Sequence, residues 1–267
     1  MSKFNNDILI HKIENGTEVI QFKKLLEFPN LKHCYTLRKN DIDINIVDPK
    51  NKERLEKSYK KIANLLDMNK ESIVQPIQTH TDNIEYVDNN TDKIKDVDGL
   101  ITNKKDILLC TTSADCISLL FYDDNKKIIA DIHSGWRGTL KKIGKKAAEK
   151  MIKNYGSNPK DIICCICPSI RKCHFEVDED VMELFKNEFE YTGRINEIIS
   201  VGKIVDGKQK YNIDTALINR IILEEVGLLE ENIVDSNICT VCNADSFHSY
   251  RVDKENSGRN GAFIGMI

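Results

Sequence analysis

No segment of the chain approaches the ~18 uninterrupted apolar residues of a membrane-spanning helix. The opening "MSKFNNDILIHKIENG" sets charges inside a very short apolar run, which fits neither a signal peptide nor a span. An excess of positive charge is also missing: 39 basic residues stand against 42 acidic ones, with lysines scattered in pairs, so a nucleic-acid-binding role is not expected. Proline and glycine are sparse, 5 and 13, and nowhere dense enough to mark a linker, and no repeat is visible. These absences leave a cytoplasmic protein of one domain covering residues 1–267, long enough to bury a sizeable core.

Cysteine, by contrast, is plentiful. Nine residues, an odd number, argue against a complete disulfide framework in a cytoplasmic protein and for thiols that are buried or metal-bound. "CCIC", Cys164 to Cys167, lies in a strand-like run and reads as core. "CTVC", Cys239 to Cys242, has the spacing of a metal knuckle, yet no second close pair accompanies it and it reads as coincidence.

Helical spacing marks "ERLEKSYKKIANLLDM", "TLKKIGKKAAEKMIKNYG" with a stop at Gly156, and "DTALINRIILEEVG" with Asp214 as N-cap and Gly227 as stop, with a weaker helix over about Asp178 to Phe189. Between them lie the short β-branched runs "SIVQPIQ", "DGLIT", "DILLCTT", "CISLLFYD", "KIIADIH", "DIICCICP", "NIVDSNIC" and "AFIGMI". Several strands between Asp98 and Ile132 follow one another without a helix. This favours an α+β class, mixed β-sheets flanked by helices, over a repeated βαβ unit.

Three strand ends carry a ligand-type side chain beside small or polar residues: "QTH" at His80, "TTSADC" at Cys116 and "ADIH" at His133. Two imidazoles and a thiolate suit zinc (Zn), and three protein ligands leave a fourth tetrahedral position open, as in a catalytic site. Separations of 36 and 17 residues do not by themselves prove that they converge. Taken alone, His133 reads more readily as a core histidine, and Cys116 as a small hydrophobe.

The surroundings change that weighing. "QTH", "DGLIT", "TTSADC", "IADIHSGWRGT", "PSIRKCHFEV", "YNIDTALINRIILEEVG", "NICT" and "FHSYRVDKENSGRNGAFI" stand in one order from about Val74 to Ile267. In this the chain resembles the bacterial YfiH/YlmD family, once labelled laccase-domain or polyphenol-oxidase-like and related to mammalian FAMIN. The resemblance implies a YfiH-like fold and a zinc-dependent purine nucleoside phosphorylase. It would act on adenosine, inosine, guanosine and methylthioadenosine with phosphate, with adenosine deaminase activity beside it. It places His80, Cys116 and His133 on the metal, the three residues that ligand chemistry singles out.

Asp115, directly before Cys116, is a candidate proton shuttle, but a role in supporting the metal ligand or forming the turn is favoured over it. Phosphate calls for arginine, whose planar fork matches its oxygens. Arg38 in "CYTLRK", Arg251 in "FHSYR" and Arg259 in "SGRNG" match family motifs, with Arg38 ranked first, while Arg137 is expected to be structural. Cys173 and His174 in "RKCHFEV" are candidates to line the pocket. Trp136 reads as a core plug before a purine stack, and Gly135 and Gly138 as a tight strand-to-helix turn. The sequence departs from the family after Arg38, where no Gly-Gly turn follows, and at Arg171 and Lys172, where Gly-Pro is usual.

Two other enzyme classes fit the same residues. Cys116 activated by His133 would make a Cys–His amidase, and this or a zinc amidase would suit the editing of peptidoglycan precursors attributed to some bacterial members of the family it resembles. Two histidines and a cysteine also suit copper and a polyphenol oxidase, although six histidines in all are few for a multicopper centre. A module that only binds would require the three ligands to lie apart, or the open position to be out of a substrate's reach.

Overall fold

A computed structural model describes residues 3–88 and 94–267, so residues 1–2 and 89–93 of the expected domain lie outside it. It is α+β, built on two six-stranded mixed sheets and a small three-stranded one. The first sheet runs Leu9–Glu14, Thr17–Phe22, Leu31–Thr36, Asn260–Met266, Leu108–Ser113 and Ile73–Val74. The second runs Ile233–Asp235, Ile163–Ile166, Ile117–Asp123, Ile128–Ser134, Gly99–Thr102 and Ile84–Tyr86. Most neighbours are antiparallel, but Ile73–Val74 with Leu108–Ser113, Ile163–Ile166 with Ile233–Asp235, and Ile84–Tyr86 with Gly99–Thr102 are parallel.

The largest core lies between these two sheets, where Tyr35, Leu109 and Ile264 of the first meet Leu120, Ile129 and Cys165 of the second. The strand Ile117–Asp123 is buried at every position because helices cover its other face, so it reads as a continuous apolar run rather than an alternating one. Ile143–Tyr155 provides that cover with Ile143, Ala147 and Met151, and Thr215–Val226 with Ala216 and Leu223. Each large aliphatic side chain buried there contributes roughly 1.5–3 kcal/mol. Asp214 caps the latter helix by accepting from the Leu217 amide at 2.9 Å, and Gly227 ends it at φ +102, as the sequence signals predict.

The expected helix over "TLKKIGKKAAEKMIKNYG" is two helices. Lys142 adopts φ +57, which ends Trp136–Leu140 and starts Ile143–Tyr155 in a new direction. The strands Leu108–Ser113 and Ile117–Asp123 belong to different sheets. Asp115, at φ +89, turns the chain from one to the other and leaves Cys116 at the crossing. Among the described residues no helix is long and apolar enough to cross a membrane.

Candidate metal centre and cavity

His133 is the last residue but one of its strand and pairs with Ser118, and the strand's alternation turns its ring to the same side as Asp131. Asp98, in the loop before Gly99–Thr102, is completely buried, and its Oδ1 lies 2.7 Å from His133 Nδ1. The same carboxylate accepts from the amides of Thr79, His80 and Thr81 at 3.3, 3.1 and 2.7 Å and from the Thr81 hydroxyl at 2.8 Å. One buried group thus orients one imidazole and fixes the backbone that carries the other. His80 sits at φ +62, a left-handed conformation that a side chain rarely adopts, and the Asp98 bonds hold it there.

His80 Nε2 lies 3.8 Å from Cys116 Sγ, and the ligand atoms of His80, Cys116 and His133 all fall within 4.8 Å of one another. A tetrahedral centre with Zn–S near 2.3 Å and Zn–N near 2.0 Å has N···S edges of about 3.5 Å, so the three residues fit such an ion. With Nδ1 of His133 held by Asp98, its Nε2 faces the centre, the carboxylate–histidine arrangement common at zinc sites.

Electrostatics agree. Burial pushes the Cys116 thiol up, but the imidazoles of His133 and His80 outweigh it and hold the thiol down at about 6. Burial pushes His133 down, and Asp98 and Cys116 more than reverse this, to about 9. Asp98 is raised by burial but brought down to about 2 by His133 and Thr81. Cys116 is therefore poised as the thiolate that a metal ion takes, while the proton that His133 holds would have to leave for Nε2 to bind one.

Gly135 explains why the following helix can begin so close. Its φ of −65 and ψ of 169 are open to any residue, so the turn does not demand glycine. Space does: a Cβ there would stand 2.8 Å from His80 Cδ2, 3.3 Å from Cys116 Sγ and 3.4 Å from His133 Cε1. Gly138, one turn on, lets the helix approach the Thr81 carbonyl, with 3.4 Å left for a Cβ.

The three ligands open into a cavity of about 700 Å³, within the range that holds small organic ligands. Trp136, Phe175 and Tyr250 supply aromatic wall, and Arg251 and Arg259 supply cations. Trp136 serves twice, packing on the cluster around Phe185 and Ile218 while lining the cavity. Arg137 stacks on the Trp136 ring at 4.1 Å, the structural place expected of it.

Two candidates stand off the cavity wall, and a third on it has its carboxylate occupied. Arg38 is not on the cavity wall: its Nη1 donates to the Ala244 carbonyl at 2.9 Å and to Asp253 Oδ2 at 2.8 Å, which ties it to the loop behind. Cys173 is also absent from the wall, because the turn at 171–174 draws it beside His174, Cys239 and Cys242. Asp115 lines the cavity, but its carboxylate is fully engaged, accepting from Thr240 Oγ1 at 2.6 Å, Ser249 Oγ at 3.0 Å and the Arg251 amide at 2.7 Å. It holds the turn before Cys116 in place. Asp98, the group that organises the centre, was not singled out from sequence, although it is the first residue of "DGLIT".

A buried imidazole–carboxylate pair with a second imidazole and a thiol, able together to hold a metal ion beside a large cavity, points to the class of metal-binding enzymes. The chain belongs to the multi-copper polyphenol oxidoreductase laccase family, whose model matches residues 39–267. It is 32% identical over 219 residues to the purine nucleoside phosphorylase YlmD of Bacillus subtilis, covering 79% of this chain and 76% of that one. It is also 32% identical over 214 residues to adenosine deaminase RL5 of an unknown prokaryotic organism, covering 77% and 78%. The crystal structure of the Bacillus licheniformis protein YfiH has the same fold, with TM-score 0.85, 24% identity and coverage of 96% of this chain and 99% of that one.

Proposed function

We propose that this chain is a zinc-dependent purine nucleoside phosphorylase, one domain over residues 1–267, working in the cytoplasm and carrying adenosine deaminase activity as well. The observation that carries the reading is the convergence of His80, Cys116 and His133 at the floor of a cavity walled by aromatic rings and two arginines. The likeness to relatives named for both activities supports it. Nine free thiols suit a reducing compartment.

His80, Cys116 and His133 would hold the ion, which when bound supplies a Lewis acid at its remaining position. Asp98 keeps His133 in the tautomer that presents Nε2 to the centre. Trp136, Phe175 and Tyr250 offer faces for a purine. Arg251 and Arg259 offer charge to phosphate, whose oxygen attacks the anomeric carbon as the glycosidic bond to the base breaks. Asp115 positions Cys116 and, through the Arg251 amide, the backbone that carries one of those arginines.

Six histidines, of which His33 and His248 are buried and bonded to backbone, leave too few imidazoles for a multicopper cluster. One observation favours a second reading, a Cys–His amidase: the Cys116 thiol held down at about 6 is also what a nucleophile needs. Alkylation separates the two, since a zinc-bound thiolate resists it.

The test of the main reading is a product assay with adenosine and inosine, with and without phosphate, the purines resolved by chromatography. Phosphate-dependent release of adenine and hypoxanthine is expected, with inosine formed from adenosine. No turnover by protein carrying zinc at Cys116 would overturn it.

A further inference from the structure

The "CTVC" run is not a coincidence of spacing, because the second pair it seemed to lack is supplied by another loop. Among the described residues, two groups of side chains could hold a metal ion, and the second is Cys173, His174, Cys239 and Cys242, with all four ligand atoms within 4.8 Å of one another. His174 Nδ1 lies 3.2 Å from Cys173 Sγ, 3.5 Å from Cys242 Sγ and 3.6 Å from Cys239 Sγ. Cys173 Sγ and Cys242 Sγ are 3.9 Å apart. A tetrahedron with Zn–S near 2.3 Å and Zn–N near 2.0 Å has S···S edges of about 3.8 Å and N···S edges of about 3.5 Å. The four atoms therefore already stand near the corners of a zinc coordination shell.

We propose that Cys173, His174, Cys239 and Cys242 form a second, structural zinc site, of the closed Cys₃His type, separate from the open centre at Cys116. A disulfide is a poorer account of the cluster, because it would use two thiols and leave the third and the imidazole unexplained, and the 3.9 Å separation is far from a bond of about 2.05 Å. Four protein ligands leave no open position, which marks the site as structural.

Its place in the fold says what it would do. One loop, after Ile163–Ile166, carries Cys173 and His174; the other, after Ile233–Asp235, carries Cys239 and Cys242. The loops already touch through the Thr240 amide on the Ser169 carbonyl at 3.0 Å and through Arg171, which grips Asp235 with two bonds and the Ile238 carbonyl with a third. Thr240, between the two cysteines, donates to Asp115, the residue that turns the chain into Cys116. Zinc in the second site would staple both loops and so stiffen the support of the first.

Metal analysis of the purified full-length protein tests this without any assumption about substrate. The expected result is about two zinc ions per chain in the wild type, about one after Cys116→Ala and about one after the pair Cys239→Ser and Cys242→Ser. Should the double variant fail to fold, Cys116→Ala protein reconstituted with cobalt decides the matter. Strong thiolate-to-cobalt charge transfer and intense tetrahedral d–d bands are expected from the remaining three thiolates. A single zinc in the wild type that vanishes with Cys116→Ala would overturn the proposal, as would a featureless cobalt spectrum or an intact mass showing a disulfide in place of metal. Loss of the second site with phosphorolysis still measurable leaves the functional reading standing. Loss of activity with two metals present leaves the second site standing.

Discussion

At the residue scale the account rests on Asp98 as much as on the three ligands. It is the group that joins the two histidines, through a 2.7 Å hydrogen bond to the His133 ring and one accepted from the His80 amide. Asp98→Asn keeps the volume but turns a donor toward a donor, and metal affinity should fall ~10–100-fold, as for other carboxylates behind a ligating histidine. Zinc titration against a competing chelator measures it, and unchanged affinity would contradict the role. The three side chains that converge were legible because strand-end His and Cys beside small residues are unusual, and because the motifs stood in a family's order. Asp98 was not, since nothing local in "DVDGLIT" reveals contacts to residues 18 and 35 positions away. Arg38 and Cys173 were misplaced for the same reason: a motif names a residue without saying which neighbour captures its side chain.

At the element scale, the strand Ile128–Ser134 and the helix starting at Trp136 meet with no spare volume at Gly135. Gly135→Ala would press on all three ligands while suiting the backbone, so the variant should fold, lose most of its first-site zinc and lose activity with it. Metal content with circular dichroism checks this; full zinc with full activity would mean the helix can shift. The four long helices were readable from periodicity and caps. The hairpins Leu9–Phe22 and Ile199–Ile213 were missed, although Asn15-Gly16 and Asp206-Gly207 take the paired positive φ of a two-residue turn. Their strands alternate weakly, with Val201, Ile204 and Val205 exposed, so hydrophobic pattern gave little signal. "SIVQPIQ" shrank to Ile73–Val74 because Pro76 interrupts the ladder.

At the scale of the whole molecule, the two large sheets are pinned by Asp131, whose carboxylate accepts from the Thr111 amide at 2.9 Å and the Thr111 hydroxyl at 2.5 Å. Burial pushes Asp131 up to about 8 despite those bonds. An aspartate in the unfolded chain titrates near ~4, so between these values the folded state holds a proton that the unfolded state has lost. Stability contributed here is present below about pH 4 and declines as pH rises toward 8. Denaturant unfolding across that range should show a decline in the wild type that is flattened in Asp131→Asn; parallel profiles would contradict it.

The claim on which the rest depends is that one centre, built from His80, Cys116 and His133, carries the chemistry. It is tested most directly by assaying inosine phosphorolysis in metal-quantified Cys116→Ala protein beside the wild type. The account predicts one zinc fewer per chain and a rate at least ~100-fold lower in a protein that is still folded. A wild-type rate in the variant would contradict it.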